Sequence, residues 1–148
     1  MFRKLIIFVV LVSISTPVFA QSVETAWIRK HRGAGIASAI AVDSSGNIYV
    51  TGNWWNGNSF DYATIKYYSN GDTAWVRSYD GPGDSQEAAY AIAVDGSGGV
   101  YVTGISSIGI GADSGDYATI KYYSNGDTAW VGGIMGRERE MIWHMVLQ

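Results

Sequence analysis

The sequence predicts an all-β protein of four-stranded antiparallel meanders stacked face to face. Three observations carry that expectation: a long internal repeat, strands apolar on both faces, and a unit length that accommodates four strands and their turns. Thr25-Ala26-Trp27 returns as Thr73-Ala74-Trp75 and again as Thr128-Ala129-Trp130. The run AIAVDSSGNIYVTG at 39–52 returns as AIAVDGSGGVYVTG at 91–104, and DYATIKYYSNGD at 61–72 returns unchanged at 116–127. The spacing between the tryptophans is 48 and then 55 residues; the extra residues fall between Trp75 and Ala91 and between Gly104 and Asp116, which marks those stretches as loops.

The chain opens with the three parts of a secretory signal peptide. Arg3 and Lys4 give a positive start, Leu5 to Val12 an apolar run, and Val18-Phe19-Ala20 the small residues a signal peptidase accepts. Cleavage is expected after Ala20, with the mature chain exported: secreted, periplasmic or on the cell surface. The apolar run falls short of the roughly 20 residues needed to span a bilayer, so no membrane span is expected once the signal is removed. The sequence contains no cysteine, which excludes disulfides, thiol nucleophiles and thiolate metal sites.

Within each unit four strands are expected: TAWIRKH, AIAVD, NIYVTG and DYATIKYY. Asn70-Gly71 and Asn125-Gly126 read as two-residue hairpin turns, since both central positions of a type I′ turn need positive φ. Abundant glycine and scarce proline agree with many short strands joined by tight turns. In AIAVD and NIYVTG both the odd and the even positions are apolar or aromatic, and a strand apolar on both faces must be covered on both. Sheets packed face to face around an axis meet that need. The expected architecture is therefore a set of β-propeller blades: about two, plus the first strand of a third, an incomplete propeller. The domain boundaries follow as 1–20 for the signal peptide, 21–72 and 73–127 for two repeats, and 128–148 for the opening strand of a third repeat with its tail.

At these residues the chain resembles the bacterial β-propeller repeat family called SBBP, whose units carry a pattern like AIAVDxxGNIYVTG followed by DYATIKY and a Trp strand. The resemblance runs from Thr25 to about Trp130. It implies a many-bladed propeller in a large exported bacterial protein, with no shared catalytic residues; no cofactor is expected.

After Val131 the repeat stops, and the chain ends in GGIMGREREMIWHMVLQ. Met and Trp have single codons, so Met141 to Met145 nearly fix their own DNA. Read from the third base of each codon, that DNA encodes Asp, Met or Leu, Ala, Tyr or His, then Gly, close to Glu87-Ala88-Ala89-Tyr90-Ala91 of the second unit. A frameshift that truncates a longer propeller is the expectation. Two blades cannot close a ring, so self-association through open blade faces is expected.

Candidate sites are few. The formal charge is −3 with no basic stripe, which argues against nucleic acid as a partner. His31 and His144 are the only histidines, too few for a zinc site or a His-based triad on repeated residues. Asp43 and Asp95 sit in loops that could suggest calcium, but the EF-hand pattern is not met and an Asp-stabilised hairpin turn explains them better. The remaining acids, Asp61, Asp72 and their copies, recur in each unit and read as parts of the blade. Catalytic and metal-binding residues are therefore not expected.

One local feature is not repeated: Trp54-Trp55-Asn56-Gly57-Asn58, read as a variable loop. Paired indoles can stack on the apolar faces of sugar rings while amides take hydroxyls, so Trp54, Trp55, Asn56 and Asn58 form the candidate ligand site. The leading expectation is a non-enzymatic scaffold or interaction module with an unknown protein or glycan partner. A carbohydrate-binding surface and a fragment of a propeller hydrolase are the alternatives.

Overall fold

The computed structural model describes residues 24–30, 33–82, 86–107 and 115–134. The signal-like segment, the tail from 135 onward, His31 and His144 lie outside the described residues. Eight strands follow in order: β1 (Gly35–Val42), β2 (Ile48–Trp55), β3 (Phe60–Tyr67), β4 (Thr73–Tyr79), β5 (Ala88–Val94), β6 (Val100–Ser107), β7 (Gly115–Tyr122) and β8 (Thr128–Ile134). They form two four-stranded antiparallel sheets, β1-β2-β3-β4 and β5-β6-β7-β8, each a simple meander. There is no helix among the described residues. The architecture is that of two propeller blades, and the two sheets do not close a ring.

The turns explain the meander. Gly71 N–H donates to the Tyr68 carbonyl and Tyr68 N–H donates to the Asp72 carbonyl, so the β3–β4 loop contains Ser69, Asn70 and Gly71. This is a three-residue loop and not the two-residue turn expected at Asn70-Gly71. A type I turn followed by one left-handed residue gives that pattern, and Gly71 at φ 87° supplies it. Tyr123 to Asp127 repeat the same bonds, with Gly126 at φ 90°.

That tight loop also decides how strands are shared between units. A strand leaving it can only fold back on β3, so Thr73–Tyr79 becomes the fourth strand of the first sheet, with Lys66 opposite Trp75. Thr128–Ile134 likewise completes the second sheet, with Lys121 opposite Trp130. The strand expected to begin a third blade is thus the last strand of the second. Residues 24–30, the first copy of this segment, take no strand pairing.

Both sheets carry matching irregularities. The β1–β2 register shifts between Ala37 and Ala39, and the β5–β6 register shifts between Ala89 and Ala91. These bulges sharpen the local twist of the first strand of each sheet. Gly52 and Gly104 lie opposite them, where a Cβ would collide with the carbonyls of Ile36 and Ala88 respectively. The expected strand limits shift as well: β1 starts four residues before Ala39, and β2 runs on through Trp55.

The core lies between the blades. Tyr49, Tyr62 and Trp75 of the first sheet meet Ala89, Val100, Val102, Ile120 and Tyr122 of the second. Tyr62 OH donates to the Ala118 carbonyl at 3.2 Å, and Trp75 Nε1 donates to the Ser124 carbonyl at 3.2 Å. Lys66 Nζ reaches the same Ser124 carbonyl at 3.3 Å, and it stands 5.1 Å from the centre of the Tyr49 ring. Cross-strand threonine pairs fix the middle of each sheet: Thr51 with Thr64, and Thr103 with Thr119, each at 3.0 Å. Tyr62, Thr64 and Lys66, on one face of β3, therefore serve blade packing.

Candidate functional site

The structure places the four candidate ligand residues at one end of β2 and in the turn that follows. Trp54 and Trp55 are the last two residues of the strand, opposite Asp61 and Phe60. Successive strand residues point to opposite faces, so the two indoles do not form one platform. Trp54 is half-buried and lines the open hollow of the first blade, beside Gly52, Val50 and Ile48. Trp55 is 45% exposed on the other side and packs edge-on against Phe60, with ring centres 5.2 Å apart.

The amide of Asn56 is committed to the turn. Its Oδ1 accepts from Asn58 N–H at 2.7 Å and Ser59 N–H at 2.9 Å. Its Nδ2 donates to both carboxylate oxygens of Asp61, at 2.9 and 3.0 Å. This is an Asx-type turn in which the side chain replaces backbone partners. Asn58 is exposed at the tip. Of the four residues, Trp55, Asn56 and Asn58 are exposed, Asn56 with its amide bonded within the turn.

The Asp loops form the hairpins expected of them. Asp43 Oδ1 accepts from Ser45 and Asn47 N–H groups, while its Oδ2 accepts from the Asn47 amide and from Tyr49 OH at 3.0 Å. Asp95 repeats the arrangement with Ser97, Gly99 and Tyr101 OH. For Asp43, burial works to raise the carboxyl pKa, but the bonds from Asn47, Tyr49 and Ser45 outweigh it and hold it below its ordinary value. The Asp95 carboxyl is held well below its ordinary value by the Ser97 hydroxyl and by the Gly99 and Ser97 amides.

A second cluster went unread in the sequence. Asp61, Asp80 and Glu87 bring carboxylate oxygens within 4.8 Å of one another where the end of the first blade meets the start of the second. Asp61 and Glu87 are buried, and Ser59 Oγ donates to Asp61 at 3.1 Å. Glu87 N–H donates to the Phe60 carbonyl, tying the two sheets together. Glu87 stands where the first unit has Gly35, a break in the repeat that was the available signal. Oxygen donors in this number suit a hard cation in principle, while hydrogen-bonded acid pairs between packed sheets serve equally well as structure.

A hollow opens on one face of the first blade. Ile36, Ile40 and Val42 on β1 are exposed, and the hollow beside them is lined by Ile48, Val50, Ile65 and Tyr67. Trp27 covers one side of it. Its Nε1 donates to the Ser69 carbonyl at 3.3 Å, its ring lies 5.9 Å from that of Tyr67, and Arg29 pairs with Asp72 at 3.4 Å.

Residues 32–60 match the family described as SBBP, beta-propeller repeat. The matched segment holds β1, β2 and the turn carrying the candidate ligand residues. No curated protein matches the chain. No helix of the described residues is long and apolar enough to cross a membrane.

Proposed function

We propose that the chain is a non-enzymatic propeller module of an exported bacterial protein, and that it acts by presenting blade faces to other macromolecules. One observation carries this reading. The polar side chains that recur in both units are consumed by the units themselves: Asp43 and Asp95 by their hairpins, the threonine pairs by the strands, Asn70 and Asn125 by Asp72 and Asp127. What is left for a partner is apolar and aromatic sheet surface. A large exposed apolar face rimmed by polar groups marks an interaction site.

Export is proposed from the signal-like first 20 residues, and N-terminal sequencing of the chain recovered outside the cytoplasm checks it, with Gln21 as the expected first residue. Assays with chromogenic glycosides and esters check the rest of the reading. No turnover above buffer is expected, and turnover abolished by Asp61→Asn or Glu87→Gln would replace it with a hydrolase.

Glycan binding stands as a second reading because the Trp55 ring is exposed next to Phe60. It rests on Trp55 and Asn58, since Trp54 faces the other side of the sheet. Glycan-array binding lost on Trp55→Ala but kept on Trp54→Ala would favour it.

A further inference from the structure

The interface between the two blades is built from faces that the chain carries twice. The first blade offers Tyr49, Tyr62, Lys66 and Trp75, and the second blade receives them with Val100, Val102, Ile120 and Tyr122. The repeat places Tyr101, Tyr117, Lys121 and Trp130 at the same strand positions on the far side of the second blade. It places Ile48, Val50, Ile65 and Tyr67 at the receiving positions of the first blade. Among the described residues, the offering face of the second blade and the receiving face of the first therefore have no neighbouring sheet, and they carry the residue types that meet between the two blades.

The exposure of equivalent residues supports this. Tyr117 is 52% exposed, whereas its twin Tyr62 is fully covered. Ile40 is 67% exposed, whereas its twin Ile92 packs against the shared core. The lysine–aromatic pair is already formed on the free face, with Lys121 Nζ 5.0 Å from the Tyr101 ring centre.

We propose that the receiving face of the first blade binds the second blade of another copy of this chain, in head-to-tail assembly, and that residues 24–30 are a plug that competes for the same groove. The bonds expected between copies are those already seen within one: Trp130 Nε1 and Lys121 Nζ to the Ser69 carbonyl, and Tyr117 OH to the Ala63 carbonyl. A contact of unlike faces repeats from copy to copy, giving a ring where the rotation closes and a filament where it does not.

The plug follows from the geometry of Trp27. Trp75 sits on Gly126 and Tyr122 with ring centres 5.9 Å apart and interplanar angle 44°, and its neighbour Arg77 pairs with Asp127 at 3.6 Å. Trp27 sits on Gly71 and Tyr67 at 5.9 Å and 42°, with Arg29 on Asp72. Residues 24–30 thus hold the place on the first blade that β4 holds on the second, and Trp130 of an incoming copy needs the place that Trp27 holds. The second blade has Gly132 where Arg77 stands, so the incoming strand lacks the ion pair to Asp72 that the plug makes. Assembly is accordingly weaker than the packing of blades within one chain.

This rests on the reading of the chain as a face-presenting module, but its test is separate from the enzymatic and export assays. The full chain is examined by sedimentation velocity over a range of concentrations, alongside Ile40→Asp, Tyr117→Asp and Trp27→Ala. The two aspartate changes are at exposed positions, and circular dichroism checks that both variants fold. Concentration-dependent oligomers are expected for the parent, monomers for each aspartate variant alone, and a dimer when the two are mixed, because one keeps the offering face and the other the receiving face. Trp27→Ala should shift assembly to concentrations roughly tenfold lower, by removing the competitor. A parent chain that stays monomeric overturns the proposal, as does association retained by both aspartate variants alone or absent from their mixture. Any of these results leaves the module reading to its own assays.

Discussion

The two blades share most of their sequence and differ in what lies against them. On the second blade, Val100, Val102, Ile120 and Tyr122 are sealed by the first blade. On the first, the equivalent Ile48 and Val50 are half-buried and line an open hollow with Trp27 at one side. Strand pairing, bulges, threonine pairs and hairpins are nevertheless the same in both. The difference separates two kinds of stabilisation: hydrogen bonding within a sheet, which each blade supplies for itself, and apolar burial, which needs a neighbour.

Replacing the tryptophan that recurs in three places should break this comparison most visibly. Trp75 is buried against Tyr49 and Tyr122, so Trp75→Ala should cost about 3–5 kcal/mol in denaturant unfolding. Trp27 and Trp130 carry the same local motif with less cover, and each alanine variant should cost about 1–2 kcal/mol. Equal losses at the three sites would mean that coverage by a neighbouring blade is not what distinguishes them.

The same contrast explains what could be read from the sequence. Repeat boundaries, the four-stranded meander and the Asp-stabilised hairpins are written in local patterns: a period of two along each strand, and Asn, Asp and Gly at the turns. The allocation of strands to sheets is not local. TAW opens each sequence unit but closes each sheet, because the Ser69–Gly71 loop folds it back on β3. The indole pair reads as a loop because it is not repeated, whereas β2 runs through Trp55 and puts the two rings on opposite faces. The Asp61, Asp80 and Glu87 cluster joins β3 to the connection between β4 and β5, and the exchange of Gly35 for Glu87 is its trace in the sequence.

Alkaline pH provides the second contrast, because the phenols that meet between the blades resist ionisation. Burial pushes the Tyr122 phenol up to about 12 and raises Tyr49 and Tyr62 strongly as well. A raised folded pKa contributes stability that is complete below the unfolded value of 10.0 and is lost as the pH rises toward the folded value. Unfolding by alkali is therefore expected between pH 10 and about 12, with phenolate absorbance and loss of β-sheet signal rising together. Phenolate appearing at all tyrosines while the sheet signal is intact would contradict a sealed interface.

A smaller effect isolates one bond. Tyr62→Phe removes the donor to the Ala118 carbonyl and should cost about 1 kcal/mol. Tyr117→Phe, at the exposed twin position, should be neutral in the monomer. If both changes cost the same, the hydroxyl matters to its own blade and not to the contact between blades.

The smallest expected difference is the most informative about what each blade does alone. Asp43 and Asp95 hold their hairpins through the same set of N–H and tyrosine hydroxyl donors, and neither depends on a neighbouring sheet. Both carboxyls sit below their ordinary pKa in the folded chain. A depressed folded pKa contributes stability present above the unfolded value of 3.8 and lost as the pH falls through the folded value. Asp95→Asn should flatten the acid limb of the stability curve below about pH 4 more than Asp43→Asn, because the Ser97 hydroxyl and the Gly99 and Ser97 amides hold the Asp95 carboxyl further below its ordinary value. Equal effects at the two sites would show that the Ser97 hydroxyl adds nothing to its hairpin.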